Sequence, residues 1–100
     1  MASQNHQEDG KEYTFVFDTT FDRALRLTKK RKPSLFKKVS AQIEKVIRAP
    51  VLGKPLRNVL RNYRRVHVGS FVIIYEIKDT EIRFIDFDHH DRIYKKYSKK

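Results

Sequence analysis

The segment FVIIYEIK, residues 71–78, constrains the fold more than any other stretch. It is far too short to cross a bilayer, yet Ile73, Ile74, Tyr75 and Ile77 make it the most apolar run in the chain. That density of β-branched and aromatic residues predicts a strand over about 70–78 lying at the centre of a sheet. Three companions are legible. YTFVF at 13–17 alternates Tyr13, Phe15 and Phe17 with Thr14 and Val16, NYRRVHV gives a strand over about 62–68, and another follows at about 81–88. KDT at 78–80 reads as the tight turn between the last two.

Two helices fit between the first strand and the other three. Asp18, Thr19 or Thr20 can cap a helix whose Phe21, Ala24, Leu25 and Thr28 share a stripe, ending in the KKRK run at 29–32. Pro33 permits a second helix to start at once. Its Leu35, Phe36, Val39, Ile43, Val46 and Ile47 repeat at helical spacing until Pro50, and APVLGKP at 49–55 then reads as a loop. The order is β-α-α-β-β-β with no internal repeat. It predicts an α+β domain with a four-stranded, mainly antiparallel sheet and both N-terminal helices packed on one face, leaving the other face open. Residues 1–11, with His6, read as a flexible polar tail, and residues 12–100 as a single domain.

A chain of 100 residues supports one core and has little to spare for a deep cavity, so any site should be a shallow groove. The 23 Lys and Arg against 12 Asp and Glu leave a formal charge of +11, which favours polyanionic partners, nucleic acid first among them. Without cysteine there is no disulfide, thiol nucleophile or thiolate metal site. The polar N-terminus lacks the apolar core of a signal peptide, and the apolar helical stripes are committed to the core, so the reading is a cytoplasmic protein without membrane attachment.

Period-two alternation in NYRRVHV sends Arg64, Val66 and Val68 toward the helices and Tyr63, Arg65 and His67 toward the open face. Cations and aromatics on an open sheet suit RNA, since phosphates need positive charge and unstacked bases a π surface. Cleavage without a metal needs a base for the 2′-OH, an acid for the leaving 5′ oxygen, and a cation over the phosphate. His67 with His89 or His90 can supply the first two, and Lys54, Arg64 or Arg65 the third. Adjacent strand residues face opposite ways, so only one of His89 and His90 is expected at the site. The same alternation would scatter Asp86, Asp88, His89, His90 and Asp91 over both faces, so no metal site is expected there.

Residues 54–94 resemble the RelE/ParE toxin superfamily, and within it the YafQ-like ribonuclease toxins. The resemblance rests on Lys54-Pro55-Leu56, Tyr63-Arg64, His67, the Val72-Ile73-Ile74-Tyr75 strand, His90 and Tyr94 four residues later. It implies a RelE-like fold and a type II toxin that cuts mRNA on the ribosome without metal or other cofactor and is neutralised by a small cognate antitoxin. On that reading His90 is the general acid and His67 the general base or a phosphate contact. Arg65 and Lys54 stabilise the transition state, and Tyr94 positions a base or phosphate. Tyr63, Arg64, Lys29, Lys30, Arg31, Lys32, Lys95 and Lys96 supply RNA affinity. Departures are visible too. Lys54 stands where YafQ-like toxins have a histidine, Arg65 where they have an acidic residue, and Ser70 near an expected aspartate. RelE itself would have an arginine in place of Val72, and another in place of His90. The alternative is a non-enzymatic member of the fold: a ParE-like gyrase inhibitor, or a degenerate toxin that only binds antitoxin or nucleic acid.

Overall fold

The apolar run at 71–78 is the middle strand of the sheet. The computed structural model describes residues 12–56 and 62–97, so the expected tail at 1–11 lies outside the described residues. Its elements are β1 (Thr14–Phe17), α1 (Thr19–Arg31), α2 (Pro33–Arg48), a 3-10 turn (Pro50–Leu52), β2 (Lys54–Pro55), β3 (Tyr63–Val68), β4 (Phe71–Lys78), β5 (Glu81–His89) and α3 (His90–Tyr97). The sheet order is β1-β5-β4-β3-β2, antiparallel except for the β1–β5 pair. Two-residue turns join β3 to β4 and β4 to β5, and each carries one residue of positive φ, Gly69 at 60° and Asp79 at 57°.

Helices α1 and α2 cover one face. Phe21, Val39, Ile43 and Val46 from the helices meet Val66, Val68, Ile73, Tyr75, Ile82, Phe84 and Phe87 from the strands in one buried cluster. The aromatic alternation of β1 serves this face, with Phe17 packing against Phe21 and Phe84 at ring separations of 5.1 and 5.5 Å. Asp18 stands at the N-cap of α1 but makes no side-chain cap bond. Its Oδ1 instead accepts from Arg83 Nη1 at 2.8 Å, tying the start of the helix to β5.

Two expectations are corrected. Among the described residues the sheet has five strands, because Lys54–Pro55 pairs antiparallel with Arg64 and Arg65 where a loop was expected. Tertiary hydrogen bonds, not local sequence, create this edge. The buried Tyr75 hydroxyl donates to Pro50 O at 2.6 Å and accepts from Gly53 N–H at 3.0 Å, while Arg64 Nη1 donates to Gly53 O at 2.6 Å. The second face is not open either. Helix α3 crosses it, and Ile93 completes a second core with Val72 and Ile74, flanked by Leu56, Tyr63, Ile85, Tyr94 and Tyr97. β4 is therefore apolar at every position from 72 to 75 because it is covered on both sides. Among the described residues, no helix is long and apolar enough to cross a membrane.

Gly53 shows how tightly the β2 edge is held. A Cβ there would stand 2.4 Å from Tyr75 Oη and 2.9 Å from Arg65 O. Gly53→Ala should therefore destabilise the fold by about 1–3 kcal/mol through overpacking, readable as a lower urea midpoint with unchanged slope. An unchanged midpoint would show that the 50–55 segment is not fastened as described.

Candidate functional site

An eight-residue helix does not persist alone in water, so α3 exists because it is docked. Its apolar stripe of Ile93, Tyr94 and Tyr97 packs on the sheet, and full burial of Ile93 contributes roughly 1.5–3 kcal/mol. The polar fastening comes from β5. A register shift opposite Ile74 and Tyr75 leaves Ile85 as the extra residue of a bulge, and Asp86 lies across from Ile74 beneath α3. Asp86 is the one buried charged side chain among the described residues, at 3% exposure. Its Oδ1 accepts from Phe87 N–H at 2.8 Å, and its Oδ2 accepts from Lys96 Nζ at 2.9 Å and the Tyr97 hydroxyl at 3.1 Å. Asp88 adds Arg92 Nε at 2.9 Å, and the N–H of His90 donates to Ser70 O at 2.9 Å, pinning the start of the helix to the β3–β4 turn.

Docking brings Tyr94 over β3. His67 Nε2 and Tyr94 Oη lie 3.0 Å apart, the Arg65 guanidinium carbon is 5.8 Å from the centroid of the Tyr94 ring, and the His90 ring is 6.2 Å from it. Lys54 is exposed and directly opposite Arg65 in the β2–β3 register, so both side chains leave the same face. The five residues expected to carry chemistry, His67, His90, Arg65, Lys54 and Tyr94, thus fall on one side of the sheet, with Tyr94 in contact with three of the others. The arrangement offers two imidazoles for proton transfer, a phenol hydrogen-bonded to one of them, and two cations at the rim.

Other expected residues are placed differently. Tyr63 packs edge-on against Tyr97 at 6.1 Å and supports the helix. Arg64 is spent on the carbonyls of Val51 and Gly53. Lys96 is held by Asp86 and Asp88, whereas Lys95 is exposed. Lys29, Lys30, Arg31 and Lys32 belong to the helical layer, where Lys29 lies over Phe36 and Lys32 over Phe71, away from the His67 cluster. His89 departs only in part. It keeps the side that alternation gives it, edge-on against Phe71 at 5.6 Å, but α3 begins at His90 and the turn stacks the two imidazoles at 4.7 Å. Sequence reasoning weighed Asp86 only as a metal ligand and missed its anchoring role. The available signal was the i, i+3, i+4, i+7 spacing of His90, Ile93, Tyr94 and Tyr97, which marks a helix needing an anchor.

A basic chain with two helices on one face of a mostly antiparallel sheet and a short third helix on the other has the layout of a RelE-like toxin. Comparison with known proteins agrees. Residues 17–94 match the family model of the ParE toxin of type II toxin-antitoxin systems, parDE. The RelE4 toxin homologue of Methanocaldococcus jannaschii is 35% identical over 87 residues, spanning 84% of this chain and 93% of that protein. The RelBE2 toxin-antitoxin complex from Mycobacterium tuberculosis contains a chain 30% identical, with a TM-score of 0.62 over 78% of this chain and 91% of that one. YafQ from E. coli, 22% identical with a TM-score of 0.58 over 82% of this chain and 98% of that one, shares the fold. The chain belongs to the RelE/ParE superfamily and is a toxin of the type II toxin-antitoxin class.

The Asp86 anchor sets an alkaline limit on docking. Its hydrogen bond raises the Lys96 pKa against the opposing effect of burial, and burial, followed by the Asp86 charge, pushes the Tyr97 hydroxyl well up. Both groups hold their protons longer when folded, so their contribution is complete below the ordinary tyrosine and lysine range and is lost as pH rises beyond about 10. Tyrosinate absorbance should show Tyr97, like the buried Tyr75, ionising above the ordinary tyrosine range, together with loss of α3 amide protection. Ionisation of every tyrosine in one step at the ordinary value, with α3 still protected, would contradict the anchor.

Proposed function

We propose that this toxin is an endoribonuclease that cuts mRNA by 2′-OH attack. The observation carrying this reading is the convergence of His67, Tyr94, His90 and Arg65 on one face. In the proposed reaction His67 takes the proton from the 2′-OH, and the 2′ oxygen forms a bond to phosphorus. The bond to the 5′ oxygen breaks as His90 protonates that oxygen, leaving a 2′,3′-cyclic phosphate and a 5′-OH. Arg65 and Lys54 face the phosphate, whose negative charge grows at the transition state. The Tyr94 hydroxyl fixes the His67 ring through the 3.0 Å contact, and its ring borders the phosphate or a base. No metal enters this scheme. The proposed setting is the cytoplasm, with mRNA on the ribosome as substrate and a small cognate antitoxin as partner. The RelBE2 complex, in which a related toxin is bound to its antitoxin, supports the latter.

A second reading is a non-enzymatic toxin of ParE type acting on gyrase. It draws on the ParE family match and on Val72, whose fully buried side chain stands where RelE presents a cation. Primer extension on translated mRNA separates the two. New RNA ends carrying 5′-OH groups are expected, and His67→Ala or His90→Ala should each slow their appearance by about 10²-fold or more. Inhibited DNA supercoiling with no RNA ends would establish the second reading, and full cleavage by both variants would remove the two histidines from the mechanism.

A further inference from the structure

The turn from β5 into α3 makes a constellation that alternation along a strand would have prevented. His89, His90 and Asp91 each offer a ligand atom, and these atoms lie within 4.8 Å of one another. His90 Nδ1 is 3.1 Å from Asp91 Oδ1, and His89 Nδ1 is 3.7 Å from Asp91 Oδ2. Ligand atoms about 2.0–2.2 Å from a tetrahedral ion stand about 3.3–3.5 Å apart, and the two imidazole–carboxylate spacings, one to each oxygen of Asp91, lie on either side of that value. All three side chains are accessible, with 33%, 46% and 72% of their side-chain surface exposed. The two imidazoles stack at 4.7 Å with their planes 26° apart, so one ring must turn for both in-plane lone pairs to meet a single ion. Arg92 and Lys96 are held by other carboxylates, Arg92 by Asp88 and Lys96 by Asp86 and Asp88. The amino end of α3 disfavours a cation here, and the Asp91 carboxylate supplies the opposing charge.

We propose that His89, His90 and Asp91 bind a zinc-like divalent cation and that its binding silences the toxin. Two imidazoles and one carboxylate select borderline ions such as Zn2+ over Mg2+, which takes oxygen ligands and keeps its water. The consequence follows from the ring of His90. With one nitrogen donating its lone pair to the metal, that ring cannot also become the doubly protonated imidazolium that delivers a proton to the leaving oxygen. Zn2+ is thus an inhibitor and not a cofactor. This inhibitory half rests on the ribonuclease reading above, whereas the binding half stands by itself.

Titration of the full chain with ZnCl2 or MgCl2, followed by calorimetry and by the imidazole resonances of the histidines, tests binding directly. Zn2+ should perturb His89 and His90 and release or absorb heat, while Mg2+ does neither. His89→Ala should weaken Zn2+ binding by at least about tenfold, as loss of one ligand from three implies. The same variant should still cleave mRNA in the primer-extension assay but resist Zn2+ concentrations that stop the wild-type toxin, whose activity returns on chelation. Absence of heat and of His89 and His90 shifts up to millimolar Zn2+, or equal Zn2+ affinity in wild type and His89→Ala, would overturn the site. Equal inhibition of both proteins would overturn the silencing mechanism. Should the chain cut no RNA at all, the ribonuclease reading falls and calorimetry still decides the metal site.

Discussion

The geometry of the His67 face depends on one buried carboxylate. Asp86 is placed beneath α3 by the bulge in β5, and it gathers a lysine, a phenol and a backbone amide around its two oxygens. Burial of a lone carboxylate would cost several kcal/mol, so the fold that places it there also requires α3 to cover it. The same helix carries His90 at its first turn and Tyr94 one turn later. Anchoring Lys96 and Tyr97 therefore fixes where Tyr94 meets His67, although none of the anchoring atoms touches that contact.

The sheet supports this from below. β4 is buried on both faces, so it transmits the position of the α1–α2 layer to the α3 layer without a soft intermediate. Tyr75 reaches through the first core to hold the 50–53 turn, and Arg64 holds the same turn from β3. These contacts align Lys54 with Arg65 at the edge of the proposed site. The two cations at the rim are thus set by residues whose own side chains point to the opposite face.

Much of the fold was legible in the sequence. The helical repeat in α2, the aromatic alternation of β1 and the apolar density of β4 are local signals that tertiary packing reinforces, and the elements fall within a residue or two of expectation. Of the site, alternation in β3 correctly separated Tyr63, Arg65 and His67 from Arg64, Val66 and Val68, as the membership of the two cores shows. β2 was not legible, because two residues including a proline carry no strand signal and the pairing is imposed by bonds to Tyr75 and Arg64 far along the chain. α3 was overlooked because half of DHHDRIYKKY is charged, and its four-residue stripe is short beside those of α1 and α2. The stacking of His90 on His89 was not legible either, since alternation was carried one residue past the end of the strand.

The account makes the docked α3 the condition for activity, and Asp86→Asn tests that most directly. The amide keeps the shape of the side chain and an acceptor for Phe87 N–H but removes the charge that holds Lys96. Hydrogen exchange and mRNA cleavage should be measured on the same preparation. The predicted result is faster exchange confined to residues 90–97, with β4 and β5 still protected, and cleavage reduced by at least about tenfold, equivalent to roughly 1.4 kcal/mol of transition-state stabilisation. Cleavage at the wild-type rate while the α3 amides exchange freely would contradict the account, because the chemistry would then not depend on the helix that carries His90 and Tyr94.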